Sequence, residues 1–168
     1  AYPSSLRIVN WIKWSLLGNS FEQGSLDSLA IQVRYLSSNV ETHLLGNHIF
    51  SNAKALLFAG LFFKGKEADY WYQIGLNIIN KELPEQVLSD GGNFELSPMY
   101  HAIFLEDLLD LVNIHQVYNK RLATDIQSTI LSMFGWLKTM CHPDGEISLF
   151  NDSAIGIAQS LKELLEYG

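Results

Sequence analysis

The sequence is poor in cysteine, in basic residues and in long apolar runs, and each shortage excludes a class of protein. Cys141 is the only cysteine among 168 residues, so no disulfide can form within the chain. Lysine and arginine number 11 against 18 acidic residues, and the formal net charge is −7. This balance disfavours general nucleic-acid binding, which requires a basic surface. It remains compatible with an anionic sugar held in a local basic pocket.

The apolar runs are too short to span a membrane, so no membrane partner is expected. The longest, residues 55–63, is shorter than a membrane span and contains Gly60. The N-terminus lacks a basic region followed by an apolar one, so we expect no signal peptide within these residues. The sequence therefore leaves the compartment of the protein open.

What the sequence does contain is helical periodicity. Apolar residues recur every three or four positions along most of the chain, which predicts seven helices. Their expected ranges are about 6–17, 22–45, 48–63, 67–83, 98–118 and 121–140, then a last helix that directly follows residues 151–153 and ends at Gly168. Short strand-like pieces are expected only near Phe94 and Ile147. We predict a single all-α domain of antiparallel helix hairpins over residues 1–168, arranged as a bundle or a solenoid-like ring.

The longest interruption of this pattern, residues 89–101, has the sequence SDGGNFELSPMYH. Asp90-Gly91-Gly92 predicts a turn. Ser97 and Pro98 together predict a helix start, because serine caps free amides and proline fits the first helical position. Tyr100 and His101 then lie in the first turn, close to Glu95. A helix N-terminus favours an anionic ligand, so this stretch is the first candidate for a site.

Two other helix starts carry polar residues. Asn47 and His48 begin the third helix, with Asn47 as the expected cap, and Asn151 and Asp152 precede the seventh. Consecutive antiparallel helices alternate in direction, so the third, fifth and seventh helices should start at one end of the molecule. We therefore predict that these residues converge with Tyr100 at one rim.

The remaining candidates are weaker on sequence alone. Lys54 lies two turns after Asn47 on the same face and is either a solvated lysine or one held by a partner. The carboxylates of Glu95, Asp144 and Asp152 could serve a glycosidase, although loop acids are usually solvated. The histidines show no HxxxH or HExxH spacing, so no metal site is expected, and no nucleotide-binding motif or other cofactor signal is present.

Three segments together carry a family resemblance. They are NHIFSNAKAL at residues 47–56, DGGNFELSPMYH at residues 90–101, and HPDGEI at residues 142–147 followed by FNDS at residues 150–153. The combination resembles the helical domain of the heparinase II/III-like proteins, which include heparinase and alginate lyase families. The resemblance implies an incomplete α/α toroid of about seven helices. It also implies a missing C-terminal β-rich domain and cleavage of uronate-containing polysaccharide by β-elimination.

The resemblance also implies roles for particular residues. Asn47 and His48 would bind the substrate carboxylate, and Tyr100 would act as base, acid or both. Glu95 and His101 would shape the site, and Lys54, Asn151 and Asp152 would complete substrate binding. Two alternatives stay open: a non-catalytic module that binds glycans or assists assembly, and a glycoside hydrolase that uses two of the loop acids.

Overall fold

The structure, a computed structural model, describes residues 1–42, 46–122 and 126–168. These residues form seven α-helices joined by turns and loops, and they contain no β-strand. The helices are α1 (Tyr2–Leu16), α2 (Gln23–Ser38), α3 (Asn47–Phe62), α4 (Lys66–Gln86), α5 (Pro98–Val117), α6 (Ile126–Thr139) and α7 (Leu161–Tyr167). The all-α class and the expected number of helices are confirmed. None of the described helices is long and apolar enough to cross a membrane.

The chain divides into two compact units, Ala1–Lys81 and Glu82–Gly168, and α4 runs from the first into the second. In the first unit, α3 is the central helix, and α1 and α2 pack against it and against each other. Every residue from Ile49 to Leu61 is buried, as the apolar sequence of this helix predicts. Gly60 permits close packing, because a Cβ there would lie 2.6 Å from the Cβ of Tyr72 on α4.

In the second unit, α5 is the central helix and packs against α6 and α7. Residues 108–111 of α5 are buried in succession, so more than one face of this helix is covered. Among them is Asp110, which accepts a hydrogen bond from the Tyr167 hydroxyl on α7. The first turns of the two central helices, α3 and α5, carry four of the candidate site residues: Asn47, His48, Tyr100 and His101.

Several helix boundaries differ from the prediction. α2 ends at Ser38 rather than near residue 45, because the chain leaves helical geometry at Asn39, whose side-chain amide donates to the Tyr35 carbonyl. Residues 43–45 and 123–125 lie outside the described residues, and α6 begins after the second gap, at Ile126 rather than Arg121. α4 continues past Pro84 to Gln86, and the Val87 N–H still bonds the Leu83 carbonyl.

The largest error concerns the seventh helix. It was expected to follow directly on residues 151–153, but it begins only at Leu161. Ser160 is its N-cap, and Ser160 with Glu163 forms a capping box, which satisfies the first free amides of the helix. Residues 151–160 are therefore a loop.

The pieces expected to be strand-like are single β-bridges. One joins Val87 to Asn93 around the Asp90 turn, and the other joins Cys141 to Ile147. The second closes a hairpin, in which the His142 N–H donates to the Glu146 carbonyl and Gly145 turns the chain with φ +92°. The two bridges thus close two polar turns of the second unit, one at Asp90 and one at Gly145.

Candidate functional site

The start of α3 differs in one detail from the expected cap. Gly46 occupies the N-cap position with φ +78°, a backbone angle that favours glycine, and Asn47 is the first helical residue. The side chain of Asn47 therefore does not cap the helix. It is half-buried and lies in the first turn, where the free amides and the positive end of the helix favour an anion.

His48 is held by an aromatic ring and by a carboxylate. Its ring stacks on Tyr2, with the ring centroids 4.5 Å apart, and its Nδ1 lies 3.6 Å from Glu41 Oε2. The side chain keeps 39% of its surface exposed, so it remains accessible to a ligand. Burial of Glu41 opposes ionisation, but hydrogen bonds from the Ala1 amino group and from Asn52, with the nearby His48 charge, outweigh it and lower the pKa of this carboxyl. His48 thus faces a carboxylate.

Sequence analysis missed Asn52, which organises this neighbourhood. Asn52 is fully buried, and its Oδ1 accepts the Glu41 N–H at 2.9 Å. Its Nδ2 lies 3.0 Å from Ser5 Oγ on α1 and 3.3 Å from Glu41 Oε2. A buried amide with both ends bonded fixes the segment that carries Glu41 to α1 and α3. The only signal in the sequence was an asparagine inside a very apolar helix.

Lys54 is not a solvated lysine. Only 7% of its surface is exposed, and its Nζ lies 5.9 Å from the centre of the Phe58 ring, within the range of a cation–π contact. Its predicted role in substrate binding remains a prediction, but its stem clearly belongs to the core of the first unit.

In the second unit, the Asp90 turn packs directly on α6. Asp90 Oδ1 accepts the Gly92 N–H at 2.9 Å, and Gly91 turns the chain with φ +87°. A Cβ on Gly91 would lie 2.5 Å from the Ser132 carbonyl oxygen, and one on Gly92 would lie 2.7 Å from Trp136 Nε1. Contact with α6 thus favours glycine at both positions, and the backbone angle of Gly91 favours it there as well.

His101 locks this loop to α6. Its Nδ1 accepts the Asn93 N–H at 3.1 Å, so Nε2 carries the proton and donates to the Met133 carbonyl at 3.0 Å. The ring also stacks on Trp136, with the ring centroids 4.4 Å apart, and has no exposed surface. His101 therefore holds the loop in place from the protein interior and has no exposed surface for a ligand.

Glu95 follows this loop and is half-buried, and its N–H donates to Asn93 Oδ1.

The buried imidazole makes stability depend on pH. Burial lowers the pKa of His101 to about 4, against the opposing effects of the Met133 carbonyl and the Asp90 charge. Its ordinary pKa is near 6.5, so the unfolded chain binds the proton more readily, and stability is lost as the pH falls from 6.5 towards 4. We expect the free energy of unfolding to fall by about 3 kcal/mol from this group. Urea unfolding across that pH range measures it.

His101→Gln provides the control for this prediction. The variant removes the titrating ring and should flatten that part of the pH dependence. His115, whose pKa is also lowered by burial, contributes in the same direction and stays in both proteins. Equal pH slopes in the two proteins would contradict the assignment to His101.

The start of α5 has the predicted cap. Ser97 is the N-cap, its Oγ accepts the Tyr100 N–H at 3.3 Å, and Pro98 is the first helical residue. Tyr100 lies half-buried in the first turn, and among the described residues no side chain bonds its hydroxyl. The phenol is thus held by a fixed backbone and can meet an external group.

Residues 151–153 do reach the start of α5, but as a loop. Asn151 Nδ2 donates to the Leu96 carbonyl at 3.2 Å, and Ser153 Oγ accepts the Met99 N–H at 3.2 Å. Asn151 and Asp152 are exposed, with φ of +44° and +61°. The predicted meeting of this segment with the Tyr100 turn is therefore present, although the predicted reason, a helix start at this point, was wrong.

The structure brings the candidates together in two groups. Asn47, His48 and Lys54 belong to the first unit, whereas Glu95, Tyr100, His101, Asn151 and Asp152 belong to the second. Convergence of the two groups at one rim stays a prediction. Asp144 is exposed in its own turn, where it accepts the Glu146 N–H, and no metal-binding cluster occurs among the described residues.

Comparison with known families decides the identity of the fold. The family model described as Heparinase II/III N-terminus matches residues 16–167. The chain belongs to this family. The fold class expected from the resemblance is confirmed.

Relatives of this chain include two heparin-sulfate lyases. The one from Bacteroides stercoris is 33% identical over 124 residues, which are 72% of this chain and 18% of the relative. The one from Pedobacter heparinus is 31% identical over 137 residues, 77% of this chain and 20% of the relative. The chain thus spans about a fifth of the length of these curated relatives.

Two solved structures have a fold similar to that of this chain. A heparan sulfate lyase structure from Pedobacter heparinus matches with a TM-score of 0.69 and 29% identity, covering 87% of this chain and 24% of that one. A structure described as a heparinase III gene product matches with a TM-score of 0.70 and 29% identity, covering 85% of this chain and 22% of that one.

Proposed function

We propose that this chain is the helical part of a longer polysaccharide lyase that cleaves a uronate-containing glycosaminoglycan of the heparan sulfate type by β-elimination. Family membership and the two heparin-sulfate lyase relatives support this choice of substrate. The observation that carries the proposal is the start of α5, where a half-buried tyrosine stands in a first turn fixed by a cap, a proline and a docked loop.

The reaction has physical demands that these residues could meet together. The proton beside a uronate carboxylate is weakly acidic, and neutralising that carboxylate stabilises the enolate-like transition state. Asn47 and His48 would supply donors for the carboxylate at the start of α3. Tyr100 would remove the proton and return one to the leaving oxygen. Asn151 and Asp152 would contact neighbouring hydroxyl groups from the loop beside Tyr100.

The reaction leaves a measurable product. β-Elimination creates a carbon–carbon double bond conjugated with the carboxylate, which absorbs in the far ultraviolet, whereas hydrolysis creates none. The complete protein, mixed with heparan sulfate, should raise this absorbance. Cleavage without the absorbance would indicate a hydrolase, and binding without cleavage would indicate a non-catalytic glycan-binding module.

His48→Ala is expected to weaken binding of a heparan sulfate oligosaccharide by about tenfold, the worth of one charge-assisted hydrogen bond. The thermal unfolding midpoint should fall only slightly, because the His48 side chain is exposed over 39% of its surface and its removal eliminates chiefly the stack on Tyr2. Calorimetric titration and thermal unfolding measure the two effects.

His142→Ala is the matched control, because His142 is exposed in the hairpin turn and should change neither affinity nor stability. A large fall in melting temperature with unchanged affinity would make His48 a structural residue and remove it from the site.

A further inference from the structure

Two serines that lie 56 residues apart in the sequence meet at the start of α5. The hydroxyl oxygens of Ser97 and Ser153 are 2.9 Å apart. Ser97 Oγ accepts the Tyr100 N–H at 3.3 Å, and Ser153 Oγ accepts the Met99 N–H at 3.2 Å. Two free amides of the first turn are therefore satisfied by side chains from two separate segments. An ordinary N-cap side chain satisfies only one of these amides, so Ser153 adds a second cap to this helix.

We infer that Ser153 is a positioning residue for Tyr100, an inference that rests on the proposed function. Ser153 supports the turn twice, once through the Met99 amide and once through the Ser97 hydroxyl that itself holds the Tyr100 amide. Ser97 is fully buried, so its hydroxyl has few other partners. Loss of Ser153 Oγ would leave one amide unpaired and release the hydroxyl next to Tyr100.

The loop that carries Ser153 is fixed in its own right. Asn151 Nδ2 bonds the Leu96 carbonyl, one residue before Ser97, so the loop is attached on both sides of the cap. Leu96, Asn151 and Asp152 all have positive φ, an arrangement that costs energy and persists where surrounding contacts enforce it. The same contacts place the exposed Asp152 beside the turn of Tyr100.

The consequence for catalysis is geometric. A base must lie within hydrogen-bond reach of the proton it removes, and a displacement of about 1 Å can cost about 10²-fold in rate. Since Ser153 Oγ is already engaged by the Ser97 hydroxyl and the Met99 amide, its removal should affect turnover far more than substrate affinity.

Three variants test this inference. Ser153→Ala removes the hydroxyl, whereas Ser153→Thr keeps a hydroxyl on Cβ. Ser160→Ala removes the N-cap side chain of α7 and leaves the caps of α5 in place. Hydrogen exchange is followed at the Met99 and Tyr100 amides of this chain, and kcat and KM are measured on heparan sulfate with the complete protein.

For Ser153→Ala we expect exchange at both amides to quicken by about fivefold, the worth of one helix cap. We expect kcat to fall by about 10–10²-fold, with KM changed by less than about twofold. Ser153→Thr should restore most of kcat. Ser160→Ala should destabilise the chain by a similar amount and leave kcat unchanged.

Unchanged exchange at the two amides would overturn the inference, and so would a wild-type kcat in Ser153→Ala or a loss of kcat in Ser160→Ala as large as in Ser153→Ala. A wild-type protein that does not cleave heparan sulfate would instead defeat the proposed function. In that case the exchange result alone decides whether Ser153 fixes the first turn of α5.

Discussion

Tyr100→Phe is expected to lower the turnover of heparan sulfate proposed for the complete protein by about 10²–10⁴-fold, the usual loss when a positioned acid–base group is removed. The substitution keeps the ring and deletes only the hydroxyl. The Ser97 and Ser153 bonds to the first turn involve backbone amides, so they remain and the backbone of residue 100 stays in place. Substrate affinity should change little. Initial rates of double-bond formation, compared with oligosaccharide binding, measure the separation.

Tyr118→Phe is the matched control. Tyr118 is a half-buried tyrosine at the other end of the same helix, where it follows the last helical residue. It should keep the wild-type rate. If purified Tyr100→Phe also eliminated at a near-normal rate, Tyr100 would leave the mechanism, and other groups would have to supply both acid and base.

Gly91→Ala should lower the free energy of unfolding by about 3 kcal/mol, one of the largest losses expected from a single added methyl group. The new Cβ would lie 2.5 Å from the Ser132 carbonyl oxygen, and φ of +87° is unfavourable for alanine. The turn must then move away from α6 and pull on the Asn93 amide that bonds His101. Urea unfolding measures the loss.

Gly145→Ala separates the two causes. Gly145 has φ +92°, but a Cβ there would meet no atom within 4 Å, so only the backbone cost of about 1 kcal/mol applies. The difference between the two variants is the cost of the contact with α6. Equal losses would show that the turn at Gly91 relaxes freely.

Local chemistry made the start of α5 predictable. Ser97 followed by Pro98 leaves few options for the backbone, and the cap bond to the Tyr100 amide is where the sequence places it. The same kind of signal would have corrected α7, because Ser160 and Glu163 have the spacing of a capping box. The prediction instead started that helix after residues 151–153, all of which are of types that favour caps.

The rest could not be predicted because it depends on residues far apart in the sequence. Nothing near Asn52 indicates that Ser5 and Glu41 meet its amide, and nothing near Met99 indicates that Ser153 caps it. The sequence also gives no sign that His101 is buried against Trp136, because that contact is a tertiary fact. Periodicity locates helices, whereas the bonds that position a site form only after the helices have packed.

Cys141, which forms the β-bridge with Ile147, can report chemically on the state of its hairpin. Burial, aided by the charge of Glu146, raises the pKa of the Cys141 thiol, so little of it is ionised at neutral pH. Only the thiolate reacts readily with alkylating reagents. Labelling of the half-buried thiol is therefore slow while the hairpin is closed, and a rise in the labelling rate reports opening of the hairpin. Because the chain has one cysteine, that signal comes from a single sulfur atom.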